Sequence, residues 1–186
     1  MARRAGSVVA VYTAYSQRDL RWCWKKIGQS SKRFYHYGCL VTCLAMLVSM
    51  RPDELNDVLL AAGAFTGPNL DPRKAAAGLG LDYQGKEPDV RRLPTIFPTL
   101  REVDYTRGGG AFVRHFVLQV QDEGGGFYLL DPYGGVKRPL EYYRFVSYRL
   151  FSRGPATTAP GEFTPVEGRL KGPEGGGCEA GAGTQC

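Results

Sequence analysis

Tyr37-Gly38-Cys39-Leu40-Val41-Thr42-Cys43-Leu44-Ala45-Met46-Leu47-Val48 is the stretch on which the reading of the whole chain turns. A glycine precedes a cysteine, and the cysteine opens an apolar run that carries no charge until Arg51. The pattern predicts a loop ending at Gly38 and a helix over 39–50, buried on every side, with Cys39 in its first turn. A helix N-terminus presents unpaired backbone N–H groups and about half a positive charge. A thiol held there ionises more readily, and the thiolate is the nucleophile. An unpaired cysteine is also a common small core residue. The rest of the chain has to choose between packing and chemistry.

Downstream of this helix, Pro52 and Asp53 start a second one, because proline suits the first helical position and acidic residues the first turn. Leu55, Val58, Leu59 and Ala62 make its expected inner face, and Gly63 stops it. Asp71-Pro72 starts a third, short helix that Gly78 ends. Upstream, Val8 to Ala14 has strand composition, and Ile27 to His36 reads as loop.

The second half changes character. Ile96-Phe97 and Glu102 to Tyr105 are short strand candidates, and Gly108-Gly109-Gly110 is a break. Phe112 to Gln121 is the strongest strand, with Phe116, Leu118 and Val120 on one face. Asp122-Glu123-Gly124-Gly125-Gly126 turns the chain into a return strand, Phe127 to Leu130, which Asp131-Pro132 ends. Tyr142 to Phe151 is one more strand. Helices followed by an antiparallel sheet make an α+β domain over residues 1–153. Residues 154–186 are rich in glycine and proline with few apolar residues, and read as a C-terminal tail.

The net charge of +6 favours anionic partners, but the basic residues are scattered doublets such as Lys32-Arg33, so nucleic acid is not indicated. Five cysteines form no regular framework, and Cys178 and Cys186 fall in the tail. The basic start, Met1 to Gly6, leads into only a short apolar stretch, so neither a Sec signal nor a membrane span is expected. The expectation is a soluble protein, cytoplasmic in a host cell or attached to a virion. Arginine exceeds lysine and asparagine occurs only at Asn56 and Asn69, a bias of genome or habitat that carries no chemistry.

A thiolate nucleophile needs a base that takes its proton and returns it to the leaving group. The chain has two histidines. His36 lies in the loop just before Cys39, whereas His115 sits on the strongest strand, a rigid mount. Asp131 ends the strand that returns across the hairpin, roughly 5–7 Å from His115 if the register pairs them. A carboxylate there can orient the ring and stabilise its charged form. Asp-Pro-Tyr-Gly-Gly is equally good turn chemistry. The Cys39 backbone N–H is one donor for an oxyanion hole, and a glutamine amide would be the second, with Gln17 and Gln29 both candidates.

Gln17, Gly38-Cys39, His115-Phe116-Val117 and Asp131-Pro132-Tyr133-Gly134, in this order, resemble papain-superfamily cysteine peptidases of the bacteriocin-leader (double-glycine) peptidase-like group. Tyr15-Ser16-Gln17-Arg18-Asp19 followed by Trp22 is especially similar to phage and bacterial members. The resemblance spans about residues 12 to 150. It implies a papain-like fold with the nucleophile helix packed on the sheet, and thiol attack on an amide through an acyl-enzyme. It assigns Cys39 as nucleophile, His115 as acid and base, Asp131 as orienter and Gln17 as oxyanion donor, with no cofactor. The gap from Gln17 to Cys39 is long for the group, which keeps Gln29 open. Cys43 stands where many members have serine.

The first expectation is therefore a cysteine peptidase or amidase acting on a peptide, with a phage-encoded peptidoglycan hydrolase as the concrete form. The competing one is a phage virion component on the same fold with little or no turnover, docked to other virion proteins through the tail. A third reading, zinc held by Cys23, His36, Cys39 and Cys43, lacks a second tight ligand pair and is the weakest.

Overall fold

The computed structural model describes residues 12–91, 94, 98–106 and 112–153, with the side chains of Thr106, Phe112 and Arg153 left out. All of these belong to one compact unit, Met1–Ala156. The strand candidate Ile96-Phe97, the break at Gly108–Gly110, most of the candidate over 8–14 and the tail from Gly154 lie outside the described residues. The part of 8–14 that is described, Tyr12 to Ala14, is not strand.

Four helices precede most of the sheet: α1 Phe34–Tyr37, α2 Cys39–Val48, α3 Pro52–Ala61 and α4 Pro72–Gly78. A small hairpin, β1 Phe65–Thr66 and β2 Asn69–Leu70, links α3 to α4. The main strands are β3 Leu81–Glu87, β4 Thr99–Thr106, β5 Phe112–Gln121, β6 Phe127–Asp131, β7 Val136–Arg138 and β8 Arg144–Arg153. They form one antiparallel sheet in the order β3-β8-β4-β5-β6-β7. The architecture is α+β.

Local chemistry explains the helix limits. Asp71 caps α4 by accepting from the Arg73 and Lys74 backbone N–H groups. Pro52 opens α3 with Asp53 and Glu54 in its first turn. α2 ends two residues before the expected Met50, because Ser49 turns left-handed at φ 57° and closes the last carbonyls. Two expectations are corrected. Phe34–Tyr37 is a short helix rather than loop, pulled in by Phe34, which is fully buried. Ala62 is exposed and Val58 half-buried, while Asn56 is buried beside Leu55 and Leu59, its side-chain oxygen accepting from the Gly28 N–H.

The main core lies between the helices and one sheet face. Leu44, Met46, Leu55 and Leu59 meet Leu100, Leu118, Val120 and Leu130 there, all without solvent exposure. α2 packs directly against β5. The expected alternation of Phe116, Leu118 and Val120 is thus the face under α2. A second cluster of Val103, Val117, Leu129 and Tyr143 covers the opposite face.

Gly38 sits where α1 meets α2 at an ordinary φ of −79°. A Cβ there would stand 2.7 Å from the Phe34 carbonyl oxygen and 2.7 Å from its ring. Close approach, not backbone freedom, requires glycine. Gly38→Ala should cost about 1–3 kcal/mol, the usual penalty of overpacking, read as a lower urea midpoint at unchanged slope. An unchanged midpoint would show that the α1–α2 junction yields freely.

Candidate active site

Each candidate group is mounted by a different element. Cys39 is the first residue of α2, and Gly38 offers no side chain to cap that helix. Its first-turn N–H groups are therefore not taken by a capping side chain. Cys39 is half-buried, while Cys43, one turn deeper, is completely buried. Burial pushes the Cys43 thiol well above its ordinary range, and the neighbouring Cys39 and Asp131 push the same way. Of these two thiols, only Cys39 is open to a ligand.

His115 lies on β5 opposite Val103 of β4. Leu118 pairs with Leu130 across the hairpin. One step further, Asp131 comes level with Val117, two residues from His115 and on the same face. The two are diagonal neighbours rather than directly paired, and their side chains close the gap. His115 Nε2 and Asp131 Oδ1 are 2.8 Å apart, with the two residues 6% and 1% exposed. Nδ1 is the ring nitrogen that Asp131 leaves open, and the Cys39 side chain lies close enough to this ring to help raise its pKa. The structure brings Cys39, His115 and Asp131 together.

Asp131 is held by more than histidine. Its Oδ2 accepts from the Tyr143 hydroxyl at 2.7 Å, and its Oδ1 accepts from the Tyr133 N–H at 2.9 Å. The turn chemistry expected of Asp-Pro-Tyr-Gly-Gly is therefore present together with the bond to His115. Burial alone would raise the Asp131 pKa, but the bonds from His115, Tyr143 and Tyr133 outweigh it and lower it. Burial likewise opposes a charged His115, yet the bonds to Asp131 and Cys39 raise its pKa from 6.5 to about 9. Tyr105, Tyr133 and Tyr143 surround the imidazole, with ring centres 5.9, 6.5 and 6.0 Å from it.

Gln17 arrives on a loop anchored by Trp22, which is buried and donates its indole N–H to the Ser16 carbonyl. The Gln17 N–H donates to the Pro132 carbonyl at 2.7 Å, which pins the loop beside Asp131. The buried Gln17 side chain donates from Nε2 to the Tyr35 carbonyl at 3.0 Å, leaving its second N–H uncommitted. Gln29 is exposed in the turn after Ile27. His36 is also exposed, on α1. Among the described residues, no group of three or more His, Cys, Asp or Glu is placed to hold a metal ion, and no helix is long and apolar enough to cross a membrane. A hollow of about 260 Å³ adjoins Leu40, walled by Leu70, Pro72, Tyr83, Phe151 and Arg149.

Sequence reasoning missed Tyr143 and Arg18. Tyr143 reads as strand composition, and only the path after β7 carries it to Asp131. No family model, curated protein or solved structure matches this chain.

Tyr143→Phe removes one donor from a buried carboxylate. It should lower stability by about 1–3 kcal/mol. Because the Asp131 pKa is lowered in the fold, its contribution is present above the ordinary carboxylate range and lost as pH falls through the folded value. Removing the hydroxyl raises that folded value, so acid unfolding of the variant should begin at higher pH. Superimposable acid transitions would contradict the assigned bond.

Proposed function

We propose that the chain is a cysteine peptidase or amidase on a papain-like fold. The observation that carries this reading is the bond between buried His115 and Asp131, with the same ring reaching the Cys39 side chain at the open end of a helix. In this reading the proton of Cys39 already rests on His115, in line with a ring that stays charged up to about pH 9, and the sulfur attacks the carbonyl carbon. The charge that develops on the carbonyl oxygen is met by the Cys39 N–H and the free amide N–H of Gln17. His115 then protonates the leaving amine as the C–N bond breaks, giving a thioester. Water, deprotonated by the same ring, attacks the thioester and releases the acid and the thiol. Asp131 keeps the ring in the tautomer that exposes Nδ1.

A cell-wall peptide is the substrate to test first. The net charge of +6 suits an anionic wall, and the resemblance includes phage members. Release of amines from purified peptidoglycan, abolished by Cys39→Ala, would support it.

The reactive pair is tested without a substrate. Iodoacetamide at pH 7 should modify Cys39 stoichiometrically, and His115→Ala should slow this at least about tenfold, within the range of general-base contributions. An inert Cys39 in folded wild-type protein would instead favour a structural virion role. The His115 ring should titrate near 9 by NMR, not near 6.5. Its raised pKa stabilises the fold fully below about 6.5, and that contribution fades as pH rises through about 9. The stability difference between wild type and His115→Gln should shrink over that window.

A further inference from the structure

Arg18 follows Gln17 on the loop that meets the Asp131 end of the sheet. Its guanidinium carbon lies 4.4 Å from the centre of the Tyr35 ring and 3.7 Å from that of Tyr133. Tyr133 stands edge-on to His115. A cation is thus clamped one residue from the oxyanion donor and one ring from the imidazole.

Nothing in the described chain neutralises it. Asp19, its sequence neighbour, is turned to Arg21 through two bonds of 2.9 and 2.6 Å. Among the described residues no carboxylate pairs with Arg18, and its Nε is buried with no hydrogen-bond partner. A buried, unsatisfied N–H on a cation opposes folding. Two rings lie against the guanidinium and its Nε is enclosed, so the terminal N–H groups are what can meet a ligand. Those groups match a carboxylate in a bidentate, charge-assisted pair, and the clamp fixes their orientation in advance.

We propose that Arg18 binds a carboxylate carried by the substrate within a residue or two of the bond that is cut. The proposal rests on Cys39 and His115 being the reactive pair, and it narrows the substrate class to acidic or carboxyl-terminal peptides. The contrary role is a structural clamp tying the Gln17 loop to Tyr133.

Two alkylating probes separate these roles. Iodoacetate and iodoacetamide both form a C–S bond at Cys39 and expel iodide, but only the first carries a carboxylate. Their rates, read on the Cys39 peptide by mass spectrometry at pH 7 and low salt, give a preference ratio for the anion. Arg18→Gln should lower that ratio about three- to tenfold, the scale of one nearby charge in a partly buried site. An unchanged ratio overturns the proposal, including the case where both rates fall by the same factor, which would make Arg18 a structural clamp. Failure of the reactive-pair reading shows separately, as a Cys39 rate that His115→Ala leaves unaltered, and the ratio remains measurable at a slow thiol.

Discussion

A carboxylate buried to 1% exposure is tolerable only if the chain surrounds it with donors, and Asp131 sets that demand on everything near it. His115 answers from β5, Tyr143 from the segment before β8, and the Tyr133 N–H from the turn that follows β6. Meeting these bonds fixes the hairpin register, because a one-residue slip would carry His115 to the opposite face. The same turn fixes the Gln17 loop. Gly135, at φ +66°, lets Ser16 approach so closely that a Cβ would lie 3.1 Å from the Ser16 nitrogen. Gln17 then donates to the Pro132 carbonyl. One ionised group thus organises four segments that are distant in sequence.

The two thiols of α2 show how position sorts identical chemistry. Cys39 and Cys43 lie one turn apart on the same helical face. The deeper one is held protonated by burial and by its neighbours' charge. The outer one meets a ring that stays charged up to about pH 9. The pairing places the thiol that can be attacked or do the attacking at the only end of the helix where backbone N–H groups face outward.

Much of this arrangement was legible in the chain. The apolar run after Gly38 has no reading other than a buried helix, and β5, its turn and β6 carry their alternation and turn residues openly. The sequence order of Cys39, His115 and Asp131 pointed to one site because a hairpin forces neighbours together. Leu81–Glu87 was not legible as a strand. It alternates part-buried and exposed residues, contains Gly85 at φ +111° with a register shift beside it, and gains its place only by pairing with β8. The strand composition of 142–151 begins two residues before β8 does, because Tyr142 and Tyr143 carry it while the short helix Leu140–Tyr142 turns Tyr143 towards Asp131. Long-range pairing of this kind leaves no local signal.

The polar pair also bears on whether the site is a relic. Buried ion pairs seldom stabilise a fold beyond what apolar groups of the same volume would. Around His115 and Asp131 the chain supplies Val103, Val117, Leu129 and three tyrosine rings, a largely apolar and aromatic setting. The pair thus serves the fold more by fixing register than by adding cohesion. Nor does cohesion call for the cation of Arg18, whose Nε is buried without a partner and which has no carboxylate to offset it among the described residues. A satisfied buried pair and an unpaired cation thus belong to the same site as one half-buried thiol. On the proposed peptidase reading each has a use, the pair to hold a proton at one ring and the cation to hold an anion beside it.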